Sequence, residues 1–211
     1  MVELHDLDEA PLPQAAPLRN TPNSALQFIR RVTAPLHECL DQGSVLSCLA
    51  RPDCSLLEYQ HAMVGLAQAY RQADGMLATA PANATSNLPP YTPRWPLIAV
   101  DLAGLGISFP ALSAPHAGPT TWAHYLGMRY VVEGASLGAK VITRNLTTSP
   151  IASQLPQPPV FWGPSLPWQG CWPLLMHALS GLSSPSEQVE AAKAARSMFR
   201  LFIHSLVRNK E

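Results

Sequence analysis

His37 is the residue in this chain best placed to do chemistry. It lies in Phe28–Asp41, FIRRVTAPLHECLD, with Thr33 and Asp41 each four residues away. On a helix that spacing puts all three on one face. Asp41 can then accept a hydrogen bond from one ring nitrogen, which fixes the tautomer and leaves the other nitrogen free for a metal. The remaining six of the seven histidines (His5, His61, His116, His124, His177 and His204) form no HExxH or HxxxH pair. A multi-histidine zinc site therefore has no local support. A single neutral imidazole does suffice for an iron whose other ligands come from a porphyrin.

A second feature lies about a hundred residues downstream. Tyr125–Ile142, YLGMRYVVEGASLGAKVI, reads as a helix yet contains Gly127, Gly134 and Gly138. At about 100° per residue these glycines fall within about 40° of one another. Each disfavours a helix interior by roughly 1 kcal/mol relative to Ala. The stripe means that bare backbone approaches something closely, either another helix or a flat ligand. A flat macrocycle between a His-bearing helix and a bare-backbone helix makes physical sense. Spacing alone does not choose between it and helix packing.

The elements that must position these residues follow from periodicity. Leu26, Ile29, Val32, Leu36 and Leu40 recur at helical spacing, with Pro35 marking a kink or the true first turn. Ser55 and Glu58 form a capping box ahead of a helix that fades near Ala80. Leu97–Leu105 reads as a short helix broken in polarity by Asp101, and Thr120 or Thr121 caps the glycine helix. Helix returns over Gly170–Leu182. Ser184 with Glu187, and Pro185 at the first position, open a last helix reaching about Val207. No β-alternation is visible. The fold class is all-α, a single compact bundle of about six helices over residues 24–208. Residues 1–23, bearing Pro11, Pro13, Pro17 and Pro22, read as disordered or loosely attached.

Composition narrows the function further. The chain has 211 residues, 47% of them hydrophobic, and 14 Lys+Arg balance 14 Asp+Glu. That balance leaves no electrostatic footprint for nucleic acid or an anionic membrane. The opening residues lack the apolar core of a signal peptide, and Asp101 interrupts the longest apolar run, so a cytoplasmic protein is expected. Cys39, Cys48, Cys54 and Cys171 have no CxxC spacing and read as reduced structural thiols, a zinc site or redox switch being the alternatives.

Taken together and in order, RRVTAPLHECLD and YVVEGASLGAKVI resemble the haem oxygenase family. The closest flavour is the bacterial type, phytochrome-associated or iron-acquiring, with its Tyr-x-x-Glu-Gly-x-x-Leu-Gly-Ala helix. Arg94 followed by DLAGLG at 101–106, the Phe/Trp-bearing loop, the helix around Trp172 and the Ala-Ala-x-x-x-Phe pattern of the last helix extend the resemblance over about residues 26–206. It implies oxidative opening of haem to biliverdin with release of carbon monoxide and ferrous iron, haem being both cofactor and substrate. It also implies O₂ as co-substrate and an external electron donor (ferredoxin, flavodoxin or a reductase), since the chain has no dinucleotide-binding motif of its own. A bacteriophytochrome is implied as a possible acceptor of product.

By position, the resemblance makes His37 the iron ligand and Gly134 and Gly138 the distal glycines. Arg30 becomes a propionate partner, Arg129 a second and Lys140 a weaker one, with a solvated face as the alternative for Arg30 and Arg129. Mammalian-type members carry Asp after the first distal glycine, where it holds a water network. Here that residue is Ala135. Bacterial relatives often have Ser there, and Ser136 is displaced from that position by one residue. The substitution motivates an alternative reading, a haem- or bilin-binding protein without cleavage activity. A third reading is a ligand-free interaction protein on the same scaffold.

Overall fold

The computed structural model describes residues 24–81, 87–109, 118–163 and 165–207. The segment 1–23, read above as loosely attached, lies outside the described residues, as do His5, His116 and residue 208. Among the described residues are six α-helices, two 3₁₀ segments and no strand. In chain order they are α1 (Ser24–Gly43), η1 (Val45–Ala50), α2 (Leu56–Leu77), α3 (Trp95–Gly104), α4 (Trp122–Thr148), η2 (Pro150–Ser153), α5 (Cys171–Ser180) and α6 (Pro185–Leu206). None of the described helices is long and apolar enough to cross a membrane.

The caps explain the helix starts. At α2 the Ser55 side chain accepts the Glu58 N–H, while the Glu58 carboxylate accepts the Ser55 N–H at 2.9 Å. Ser184 and Glu187 repeat the arrangement at α6, and Thr121 caps α4 through the His124 N–H. These contacts satisfy backbone donors that a helix leaves orphaned at its N-terminus. Of the two expectations for Pro35 in α1, the first-turn one does not hold. The helix runs through Pro35 instead of beginning there. The missing Pro35 N–H deprives the Arg31 carbonyl of its helical partner, but Arg31 is exposed, so solvent can take that bond.

The last helix, α6, is the hub, packing on α1, α2 and α4. Its small residues Ala191, Ala192, Ala194 and Ala195 are buried at one end, and Met198, Phe199, Phe202, Ile203 and Leu206 carry the core along its length. The small end admits α4 closely. Phe199 and Phe202 at the other end line the candidate site.

Candidate functional site: a slot between α1 and α4

His37 projects from α1 into a cavity of about 620 Å³, within the range of small-molecule and cofactor sites. It is the only described histidine among the lining residues. Its Nδ1 lies 2.8 Å from Asp41 Oδ2, and its ring is 5.8 Å from that of Phe199. With Nδ1–H donated to Asp41, the Nε2 lone pair is free for a metal. Asp41 lines the same cavity. Thr33, expected beside His37, is buried and donates instead to the Ile29 carbonyl at 2.8 Å. Arg30 is exposed and lines the cavity. Burial pushes the pKa of the Tyr130 phenol on α4 up, and Arg30, then Thr33, of α1 oppose the push.

The three glycines of α4 have three different environments. A Cβ on Gly127 would stand 2.1 Å from the Ala191 carbonyl oxygen of α6, so this glycine serves helix packing. A Cβ on Gly134 would meet the Trp172 ring at 3.2 Å. A Cβ on Gly138 would meet nothing within 4 Å, and Gly138 lines the cavity. Ala135 and Ser136 line it as well, and the Ser136 hydroxyl donates to the Glu133 carbonyl at 2.5 Å. Leu137 and Val141, 56% and 55% exposed, mark where the cavity opens to solvent.

Behind this helix lies a buried charge network that the sequence did not reveal. Glu133, 1% exposed, receives Arg94 at 2.7 Å on one carboxylate oxygen and Arg129 at 2.5 Å on the other. Arg129 also donates to the Pro89 carbonyl at 2.6 Å. Burial pulls the Arg129 pKa down, and Glu133 and Tyr125 together more than offset it. Arg129 does not line the cavity, which corrects its assignment as a propionate partner; nor is it on a solvated face. Its spacing of four from Glu133 was the available signal. Arg94 does line the cavity, with its guanidinium 3.7 Å from the Trp168 ring centroid. Asp74 holds the Arg94 segment in place by accepting the Arg94 and Trp95 N–H groups at 2.9 and 2.7 Å and the Tyr91 hydroxyl at 2.5 Å.

The remaining walls are aromatic. Phe161, Trp162 and Trp168 come from the loop after η2, Trp172 from α5, and Phe199 and Phe202 from α6. Asp101 of α3 fixes the loop by accepting the Val160 and Phe161 N–H groups at 2.7 and 2.9 Å. Burial raises the Asp101 pKa, and those two donors oppose the shift. Thr143 of α4 donates to the Trp162 carbonyl at 2.9 Å, and Asn145 ties α4 to η1 through the Leu49 carbonyl at 3.3 Å. Lys140 is exposed and outside the lining.

The site can therefore present one imidazole to a metal on one side and uncovered backbone on the other, within apolar walls. No family model matches the chain, and no curated protein matches its sequence. Among solved structures it matches the NO- and CO-bound haem oxygenase from Neisseria meningitidis with a TM-score of 0.56. The match covers 89% of this chain and 98% of that one at 18% identity. The fold is that of a haem oxygenase. At this identity the likeness is one of fold, and the roles of individual residues rest on the geometry above. Elsewhere the four cysteines are free, with Cys48 and Cys54 buried. Among the described residues no cluster of three or more His, Cys, Asp or Glu could hold a metal ion.

Proposed function

We propose that this chain is a haem oxygenase of the bacterial type. It takes haem, O₂ and electrons from a separate ferredoxin, flavodoxin or reductase, and releases biliverdin, carbon monoxide and ferrous iron. One observation carries the reading: His37, oriented by Asp41, and Gly138, uncovered, line a single cavity. A porphyrin fits that donor set because it needs one protein nitrogen, a flat apolar slot and a cation at the rim.

In this reading haem supplies the iron centre at which O₂ is reduced and the ring is opened. His37 Nε2 holds the iron, and Asp41 keeps the imidazole in the donor tautomer. Arg30 meets a propionate at the solvent edge. The bare backbone at Gly138 would leave room for a small co-substrate in the cavity. Ser136 keeps acceptor capacity after donating to Glu133, and Arg94 brings a buried positive charge to the wall. The accepting oxygen of Ser136 would help order water where the distal Asp is absent. A neutral imidazole does not drive O–O cleavage as a thiolate does, which suits ring opening.

The test is haem titration of the purified protein followed by reductant and O₂. A Soret band near 400–410 nm of the His-ligated kind, lost in His37→Ala, and then biliverdin absorbance, support the proposal. Haem uptake without such a band refutes it. The second reading, a haem or bilin binder without cleavage, is favoured by one specific residue. Ala135 puts a methyl group where mammalian-type members have a carboxylate. A stable His-ligated complex that yields no biliverdin under reductant and O₂ would decide for it.

A further inference from the structure

The two cavity glycines of α4 are not equivalent. Gly138 faces open space, whereas the six-membered edge of Trp172 stands in tight contact with the place of a Gly134 Cβ, at 3.2 and 3.5 Å. Four residues separate them, about 6 Å along the helix axis. Trp172 therefore bounds the uncovered stretch of backbone on its N-terminal side. The indole is held from several directions. Tyr130 lies 5.6 Å away, centroid to centroid, at 42°. Tyr130 in turn borders one surface recess with Arg30 and Thr33 of α1. The helix that carries Trp172 is anchored by buried Cys171, Leu175, Ala178 and Leu179.

A nearly square macrocycle in an apolar slot has several in-plane orientations of similar energy. Among the described lining residues Arg30 is the one exposed cation. A solvent-exposed charge orients a ligand weakly, because water and salt screen it. A rigid aromatic edge acts by exclusion and is not screened. We propose that Trp172 is the specificity-determining side chain that fixes the in-plane seating of the macrocycle, and with it the ring edge presented beneath Gly138. The proposal rests on the haem reading above and deepens it to regiochemistry.

The test uses the cyanide-bound ferric haem complexes of the wild type, Trp172→Ala and Trp172→Phe. The hyperfine-shifted haem methyl resonances report in-plane orientation without turnover. The wild type should show one dominant methyl set. Trp172→Ala should show a different set or a mixture while keeping the His-ligated Soret band, and Trp172→Phe should restore most of the wild-type pattern. In turnover, the biliverdin isomer ratio should shift in Trp172→Ala alone. An unchanged methyl pattern in Trp172→Ala overturns the proposal and leaves the haem reading standing. So does an unchanged pattern with faster haem association, which would make the indole a movable plug. Failure of the wild type to take up haem overturns both.

Discussion

Gly138→Ala separates the stability of α4 from its ligand face. In the ligand-free protein the new methyl meets nothing within 4 Å. Helix propensity alone then acts, favouring Ala by roughly 0.8–1 kcal/mol in a helix interior. For a chain of this size about 1 kcal/mol moves Tm by roughly 2–4 °C, so the variant should melt about that much higher. On the proposed function a bound haem should reverse the sign, because the methyl would occupy the slot. Overpacking of about 1–3 kcal/mol corresponds to a loss of affinity of roughly 5- to 150-fold. Gly127→Ala is the control. Its methyl would fall 2.1 Å from a backbone oxygen, and the resulting overpacking outweighs the propensity gain, so ligand-free Tm should fall. Scanning calorimetry and haem titration on the same samples give both readouts. A lower Tm for ligand-free Gly138→Ala would refute the open-space argument. A higher Tm with unchanged haem affinity would refute the claim that this glycine faces the ligand.

Other expectations follow from the charge and capping networks. Glu133→Gln leaves Arg94 and Arg129 buried without their carboxylate, and should cost about 3–5 kcal/mol in urea unfolding. Asp41→Asn should weaken haem binding by about 10–100-fold, the usual effect of losing a partner behind a metal-binding His, with Tm nearly unchanged because both side chains are exposed. Ser55→Ala should cost about 1 kcal/mol. The Glu58 pKa lies below the ordinary carboxylate range, chiefly through the Ser55 backbone N–H and then its hydroxyl. A depressed carboxylate stabilises the fold above its unfolded pKa, and that contribution disappears as pH falls through the folded value. The Ser55→Ala deficit should therefore shrink in acid, and one that persists unchanged below the folded pKa would refute the assignment.

How much could be read in the sequence depended on the range of each interaction. The caps at Ser55 and Ser184 are local motifs, and both occur as read. The pairing of His37 with Asp41 is also local, four residues on one helix. Arg129 was misread because the local partners Tyr125 and Glu133 do not reveal its burial, which depends on the Pro89 carbonyl forty residues away and on Arg94 sharing the Glu133 carboxylate. Asp101 looked like a flaw in an apolar run; its partners, the Val160 and Phe161 N–H groups, lie about sixty residues away. The Trp172 contact with Gly134 likewise joins two helices whose separation along the chain hides it. Periodicity placed the helices, but it could not say which face of each would meet which neighbour.

The contact at Gly127 also bears on how such a chain can diverge. The atoms a side chain there would strike are the oxygen, carbon and Cα of Ala191, all of them backbone. No exchange at position 191 removes a carbonyl, so no second substitution at that position can compensate for losing the glycine. The contact should leave no trace in pairwise covariation among relatives: position 127 stays fixed while position 191 drifts among small residues. A suppressor screen on Gly127→Ala should recover revertants, or changes that move the whole α4–α6 crossing, and none confined to residue 191.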